Sequence, residues 1–181
     1  MVEMEERELL LASLKGYLEE LGESGVDELC FAQLPVLEED CRMEGSSRAR
    51  LLFVTTGAGF AGAAGELLEK IIGAMGFARG EVCLLVIGTC SGAGAGSLRG
   101  SISGRIAALA PEVAVTLGEA ATHLLLASEE PLERLRGRFH DLCGIPLMPS
   151  FHPDAMLENQ ALKRDVWSDM QQVMRRLAQP L

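Results

Sequence analysis

The residues able to do chemistry in this chain stand at the ends of short apolar runs. His152 follows one such run in the stretch Pro149-Ser150-Phe151-His152-Pro153. A histidine in that place can donate to a developing negative charge or shuttle a proton. It can equally cap the helix that Pro153 begins. A second candidate is Gly57-Ala58-Gly59-Phe60-Ala61-Gly62, which fits G-x-G-x-x-G between an apolar run and a helical pattern. Glycines there let backbone N–H groups approach a phosphate at a helix N-terminus. The ribose-binding carboxylate that should close the next strand is replaced by Val86-Ile87-Gly88-Thr89, so a tight turn explains these glycines as well. The third candidate, Cys90–Ser97, is rich in Gly and Ser but has no lysine, which excludes a Walker loop. It reads as a flexible connection, and Ser91 and Ser97 lack a nucleophile-elbow pattern. His123 lies in an apolar helical run and reads as structural, whereas the setting of His140, between Phe139 and Asp141, leaves its role open.

These loops need elements to hold them. Leu51–Val54, Val82–Ile87, Val113–Leu117 and Ile145–Met148 are short continuous apolar runs, the pattern of strands buried on both faces. Helical patterns alternate with them at Ala61–Met75, Arg105–Leu109 and Glu119–Leu126, and a long one closes the chain over Ala155–Leu177. Alternation of this kind predicts an α/β fold: a three-layer α/β/α sandwich around a parallel four-stranded sheet with right-handed crossovers. Ligands in such sheets sit at the carboxyl ends of the strands. Upstream, residues 4–22 predict an amphipathic helix, and residues 26–48 read as irregular around Pro35 and Glu38-Glu39-Asp40. The expected division is therefore an acidic N-terminal segment, 1–48, packed on a body, 49–181.

Charge follows the same division. Of 181 residues, the first 40 hold 12 Asp/Glu against 2 Lys/Arg, which accounts for the whole net charge of −10. The body is neutral, so a nucleic-acid partner is not excluded by charge. Its basic residues are arginine apart from Lys70 and Lys163; arginine suits phosphate through its planar fork and equally suits surface ion pairs. The acidic segment is either a solvated helix or an interaction surface for a protein partner. The cysteines at 30, 41, 83, 90 and 143 form no C-x-x-C pair, so reduced thiols and a cytoplasmic location are expected. The acidic start is unlike a signal peptide, and no apolar run is long enough for a bilayer, so no membrane association is expected.

Taken in order, Val113–Gly118, Leu135-Arg136-Gly137-Arg138, Ile145–Pro149, Phe151-His152-Pro153-Asp154-Ala155-Met156-Leu157 and Ala161–Trp167 resemble the uracil-DNA glycosylase superfamily. The similarity is closest to its iron–sulfur-containing bacterial and archaeal branches. Phe60–Leu68 resembles the family segment whose phenylalanine stacks on the base, and the likeness runs over roughly residues 50 to 177. It implies a base pocket at the strand ends, with Phe60 and Gly59 binding a flipped-out base. It implies that His152 stabilises the departing uracil anion. Ser150, Pro153, Arg136 and Arg138 would then contact DNA.

The chain departs from that pattern in four places. No carboxylate or asparagine stands between Val54 and Phe60 to position water, and the family's Gly-Glu-Ala-Pro-Gly type loop is shortened. Val86 stands in the region of the asparagine that reads the uracil edge. Of the four cluster cysteines, Cys90 falls at one expected position, Leu98 occupies the next, and Cys30 and Cys41 do not match the N-terminal pair, so no cofactor is expected. Glu158 replaces a basic residue in the histidine motif. The resulting expectation is a divergent glycosylase-like protein with reduced or absent base excision, acting on DNA or a free base or nucleotide. The alternatives are an active glycosylase of altered base specificity and a nucleotide-binding protein using Gly57–Gly62.

Overall fold

A computed structural model describes residues 41–88 and 95–178, without the side chains of 95 and 97. The predicted helix at 4–22 lies outside the described residues. Among the described residues, six strands form one sheet in the order β1-β3-β2-β4-β6-β5: β1 Cys41–Gly45, β2 Leu51–Thr56, β3 Val82–Ile87, β4 Val113–Leu117, β5 His140–Leu142 and β6 Ile145–Ser150. The four predicted strands are the parallel centre, β3-β2-β4-β6. All residues of β3 and β4 are buried, as their unbroken apolar runs require.

Two antiparallel edge strands extend the predicted four-stranded sheet to six. β1 lies along β3, with Cys41 opposite Ile87 and Gly45 opposite Cys83. It falls within the stretch that the sequence presents as irregular, because three of its five residues are exposed and no apolar alternation marks it. β5 pairs with β6 through a two-residue turn, in which Cys143 (φ +54°) and Gly144 (φ +85°) both take the left-handed conformation of a type I′ hairpin. The strand β6 also runs past Pro149 to Ser150. β5 stops opposite Leu147, so beyond that point β6 has a free side, where a residue without an N–H is tolerated.

Helices cover both faces. On one, α1 (Gly62–Ala74) and α6 (Leu162–Leu177) bring Leu68, Ile72, Val166, Met170 and Val173 against Leu51, Phe53, Leu84 and Val115. On the other, α2 (Ala95–Leu109) and α3 (Glu119–Leu126) set Leu98, Ile102, Ile106 and Leu125 against Leu52, Val54, Leu85 and Leu147. This is the three-layer α/β/α sandwich. A four-residue helix, α4 (Leu132–Leu135), precedes β5, and the long helix predicted over 155–177 is two: α5 (Pro153–Glu158) and α6. The break falls at Asn159, whose side-chain Oδ1 accepts the Ala161 N–H at 3.0 Å and so competes with the helical ladder.

The Gly/Ser-rich stretch reads as flexible, yet from Ala95 onward it is helix. Its apolar residues, Leu98, Ile102 and Ile106, recur every fourth position and bury one stripe, and tertiary packing overrides the poor propensity of Gly96, Gly100 and Gly104. A Cβ at Gly100 would meet nothing within 4 Å, whereas one at Gly65 would collide with the Phe60 carbonyl oxygen. Gly100→Ala is therefore expected to raise stability by about 0.5–1 kcal/mol. Gly65→Ala is expected to lower it by about 1–3 kcal/mol. Urea denaturation of both variants checks the opposite signs.

Thiol accessibility checks the strand assignments. Burial pushes the Cys83 thiol up to about 11, with Cys41 adding to the effect, while Cys143 is exposed in the β5–β6 turn. At pH 8, a maleimide on the native protein should modify Cys143 and spare Cys83, as read by peptide mass mapping. Equal labelling of the two would show that β3 is not buried.

Candidate active site at the carboxyl ends of the parallel strands

β2, β4 and β6 end side by side, and their last residues make the site. Gly118, directly after β4, has φ +93°, and its N–H donates to the Ser150 carbonyl at 2.8 Å. A Cβ on Gly118 would lie 3.1 Å from the Cβ of His152. Glycine thus serves two needs here, the left-handed turn and the close approach of the imidazole.

His152 is the N-cap of α5. Its Nδ1 accepts the Asp154 backbone N–H at 3.2 Å, which leaves the neutral ring's proton on Nε2. That Nε2 lies 3.0 Å from the Thr55 Oγ1 and 3.2 Å from the Thr56 carbonyl oxygen, both at the end of β2. The Thr55 hydroxyl also donates to the Thr56 carbonyl. When the ring is protonated, Nδ1 can instead pair with the Asp154 carboxylate, 3.2 Å away. Both readings of His152, helix cap and reacting group, therefore apply to one side chain. Both of its nitrogens are occupied within the chain.

Beside the imidazole opens a cleft of about 420 Å³, with Leu132, Phe151 and Leu162 as its apolar wall. Glu119, Glu133 and Asn159 supply its polar rim. Two carboxylates at the mouth disfavour an anion such as a phosphodiester.

The other predicted residues are placed as follows. Phe60 is 7% exposed and packs in the core, and the Arg79 guanidinium lies 4.4 Å from its ring centroid. Arg79 is in turn held by Glu69 at 2.7 Å and Glu44 at 3.8 Å. Gly59 (φ +67°) turns tightly against β1 and β3, where a Cβ would come within 3 Å of the Glu44 carboxylate and the Val86 side chain. Gly57 and Gly62 also have positive φ, so the turn alone accounts for all three glycines of the motif. Pro153 is buried in the first turn of α5. Arg138 is exposed and makes no hydrogen bond or ion pair among the described residues.

Ser150 and Arg136, which the resemblance implies as DNA contacts, both turn inward to Asp169. Ser150 is fully buried and its hydroxyl donates to Asp169 at 2.8 Å. The Arg136 guanidinium donates to both carboxylate oxygens of Asp169, at 3.0 and 3.2 Å, and lies 5.1 Å from the Phe151 ring. The inward turn has a physical cause: Asp169 is a charge buried on the apolar side of α6 and requires donors. Burial pushes its carboxyl up from the ordinary range, and the Ser150 hydrogen bond and the Arg136 charge pull it back only in part. Asp169 escapes a motif-based reading. Its signal was helical position, three residues after Val166 and beside Met170 on the buried stripe.

Among the described residues, the one position where the resemblance implies a cluster ligand holds no thiol. Leu98, in the region of an implied ligand, packs in an apolar cluster with Cys41 and Ile102. Among the described residues, no three His, Cys, Asp or Glu side chains converge as metal ligands. Cys30 and Cys90 lie outside the described residues.

A family model described as the uracil DNA glycosylase superfamily matches residues 44–171, more than half of the chain. The match begins inside β1 and ends in α6, so it spans the parallel sheet and the histidine turn alike. With the α/β/α architecture, it establishes that this chain belongs to the uracil DNA glycosylase superfamily.

Proposed function

We propose that the chain is a divergent member of the superfamily with reduced or absent base-excision activity, and that its ligand is DNA or a free base or nucleotide. The observation that carries this reading is the state of the strand ends. The Nε2–H that would stabilise a departing base anion is already donated to Thr55 and Thr56. Around it, Val86 is 6% exposed and offers no hydrogen bond to a pyrimidine edge. The β2–α1 turn holds no carboxylate or amide to orient water. Loss of such a group costs about 10²–10⁴-fold in rate. On this reading Phe60 remains the base-stacking residue, reached only after Arg79 has left its ring, and of Arg136 and Arg138 it is Arg138 that is free to meet a phosphate.

The test is release of base from labelled oligonucleotides, single- and double-stranded, carrying uracil or other deaminated or alkylated bases. The expected outcome is no release, or release slower by about 10²–10⁴-fold than an intact water-positioning site would give. Rapid release that His152→Ala abolishes would overturn the proposal.

One observation favours the second reading, an active glycosylase of altered base specificity: the Thr55 hydroxyl stands 3.0 Å from the imidazole and could share a water with it. That reading predicts release of a base other than uracil, lost in Thr55→Val at unchanged thermal stability. Nucleotide binding at Gly57–Gly62 draws no separate support, since backbone conformation already explains the glycines; a melting shift with NAD or ATP would revive it.

A further inference from the structure

We infer that Asp169 is the positioning residue for His152. The inference rests on the reading of His152 as the reacting imidazole, but its geometry stands apart from any activity. Asp169 is fully buried on α6, among Val166, Met170 and Val173. Burying a carboxylate is unfavourable, and apolar side chains of similar volume usually serve a core as well or better. A carboxylate kept there therefore calls for a role other than bulk stability, and its partners indicate one.

Each partner holds a different part of the segment that ends in His152. The Ser150 hydroxyl donates to the Asp169 Oδ2 at 2.8 Å, turning that side chain inward. On the same residue, the carbonyl accepts the Gly118 N–H at 2.8 Å. Ser150 is thereby pinned to α6 through its side chain and to the end of β4 through its backbone. Arg136, bound to both Asp169 oxygens, is held with its guanidinium 5.1 Å from the Phe151 ring, so the next residue is pinned as well. Asp165 adds a weaker contact to Arg136 at 3.8 Å. His152 follows directly, and the chain direction set at 150 and 151 delivers its Nε2 to the end of β2. Asp169 touches neither the imidazole nor the cleft; it acts through the two residues before the histidine.

The experiment uses the full chain and reads the ring directly. Long-range proton–nitrogen correlation spectra, recorded where imidazole is neutral and assigned with His152→Gln, report which ring nitrogen carries the proton. Wild type should show one tautomer for His152, with Nδ1 bare and Nε2 protonated. In Asp169→Asn and Ser150→Ala, this pattern should give way to the averaged signals of a free imidazole. His123, which pairs with the Glu130 carbonyl elsewhere, should not change. Wherever base release is measurable, kcat should fall by up to roughly 100-fold with KM little changed. If Asp169→Asn fails to fold, Ser150→Ala decides, because it leaves the Arg136–Asp169 pair intact. A folded variant whose His152 signals match wild type would overturn the inference, as would a wild-type ring already averaged between tautomers. Absence of base release in wild type would count against an active glycosylase and leave the spectral test untouched.

Discussion

Three parallel strands end in register, and everything near the imidazole follows from that constraint. Thr55 of β2 lies beside Leu117 of β4, and Leu117 beside Ser150 of β6. Because parallel strands need crossover helices, the residues that follow each strand emerge together at one edge of the sheet. Gly118 and His152 leave that edge on neighbouring strands, and the left-handed turn at Gly118 lets them touch. A slip of one residue in β6 would turn Ser150 away from Asp169, since successive strand side chains point to opposite faces. The buried carboxylate and the sheet register therefore specify each other.

The strand ends of this superfamily member are lined largely by apolar packing. Where a cluster ligand is expected there is Leu98, packed with Cys41 and Ile102; where a base-reading amide is expected there is buried Val86. Buried apolar side chains at both positions favour packing and offer no hydrogen bond. Arg79 covers the aromatic ring of Phe60 and links it to Glu69 and Glu44. These ion pairs are largely exposed, and each contributes little alone.

Much of the framework was legible in the sequence because it rests on periodicity. The four apolar runs became the central parallel strands, and Gly62–Ala74 and Glu119–Leu126 formed helices where the pattern placed them. What escaped was written in weaker signals. β1 is short and polar, β5 has three residues, and the hairpin between β5 and β6 uses Cys143-Gly144 where Asn-Gly is the usual mark. Helix α2 hid behind its glycines because its buried stripe is only three residues wide. Of the site, His152 could be found from its place after a strand. The inward course of Ser150 and Arg136 could not, because it depends on Asp169, which is 19 residues from one and 33 from the other. A side chain's direction over that span is decided by packing, which no local pattern encodes.

The two antiparallel strands at the margins of the sheet have a consequence of their own. An open sheet invites edge-to-edge pairing with other chains, because its outermost strand presents unpaired N–H and C=O groups. Here the largely apolar inner strands, aggregation-prone if bare, are flanked by β1 along the whole of its length and by β5 along the first half of β6. On one side stands a five-residue strand bearing Arg42 and Glu44; on the other, a three-residue strand bearing His140 and Asp141. Short, charged margins make poor templates for intermolecular β-structure. The marginal strands thus act as the sheet's hems: they keep a strongly hydrophobic parallel core discrete and leave the carboxyl ends of the strands, where the imidazole sits, unencumbered by β1 and β5.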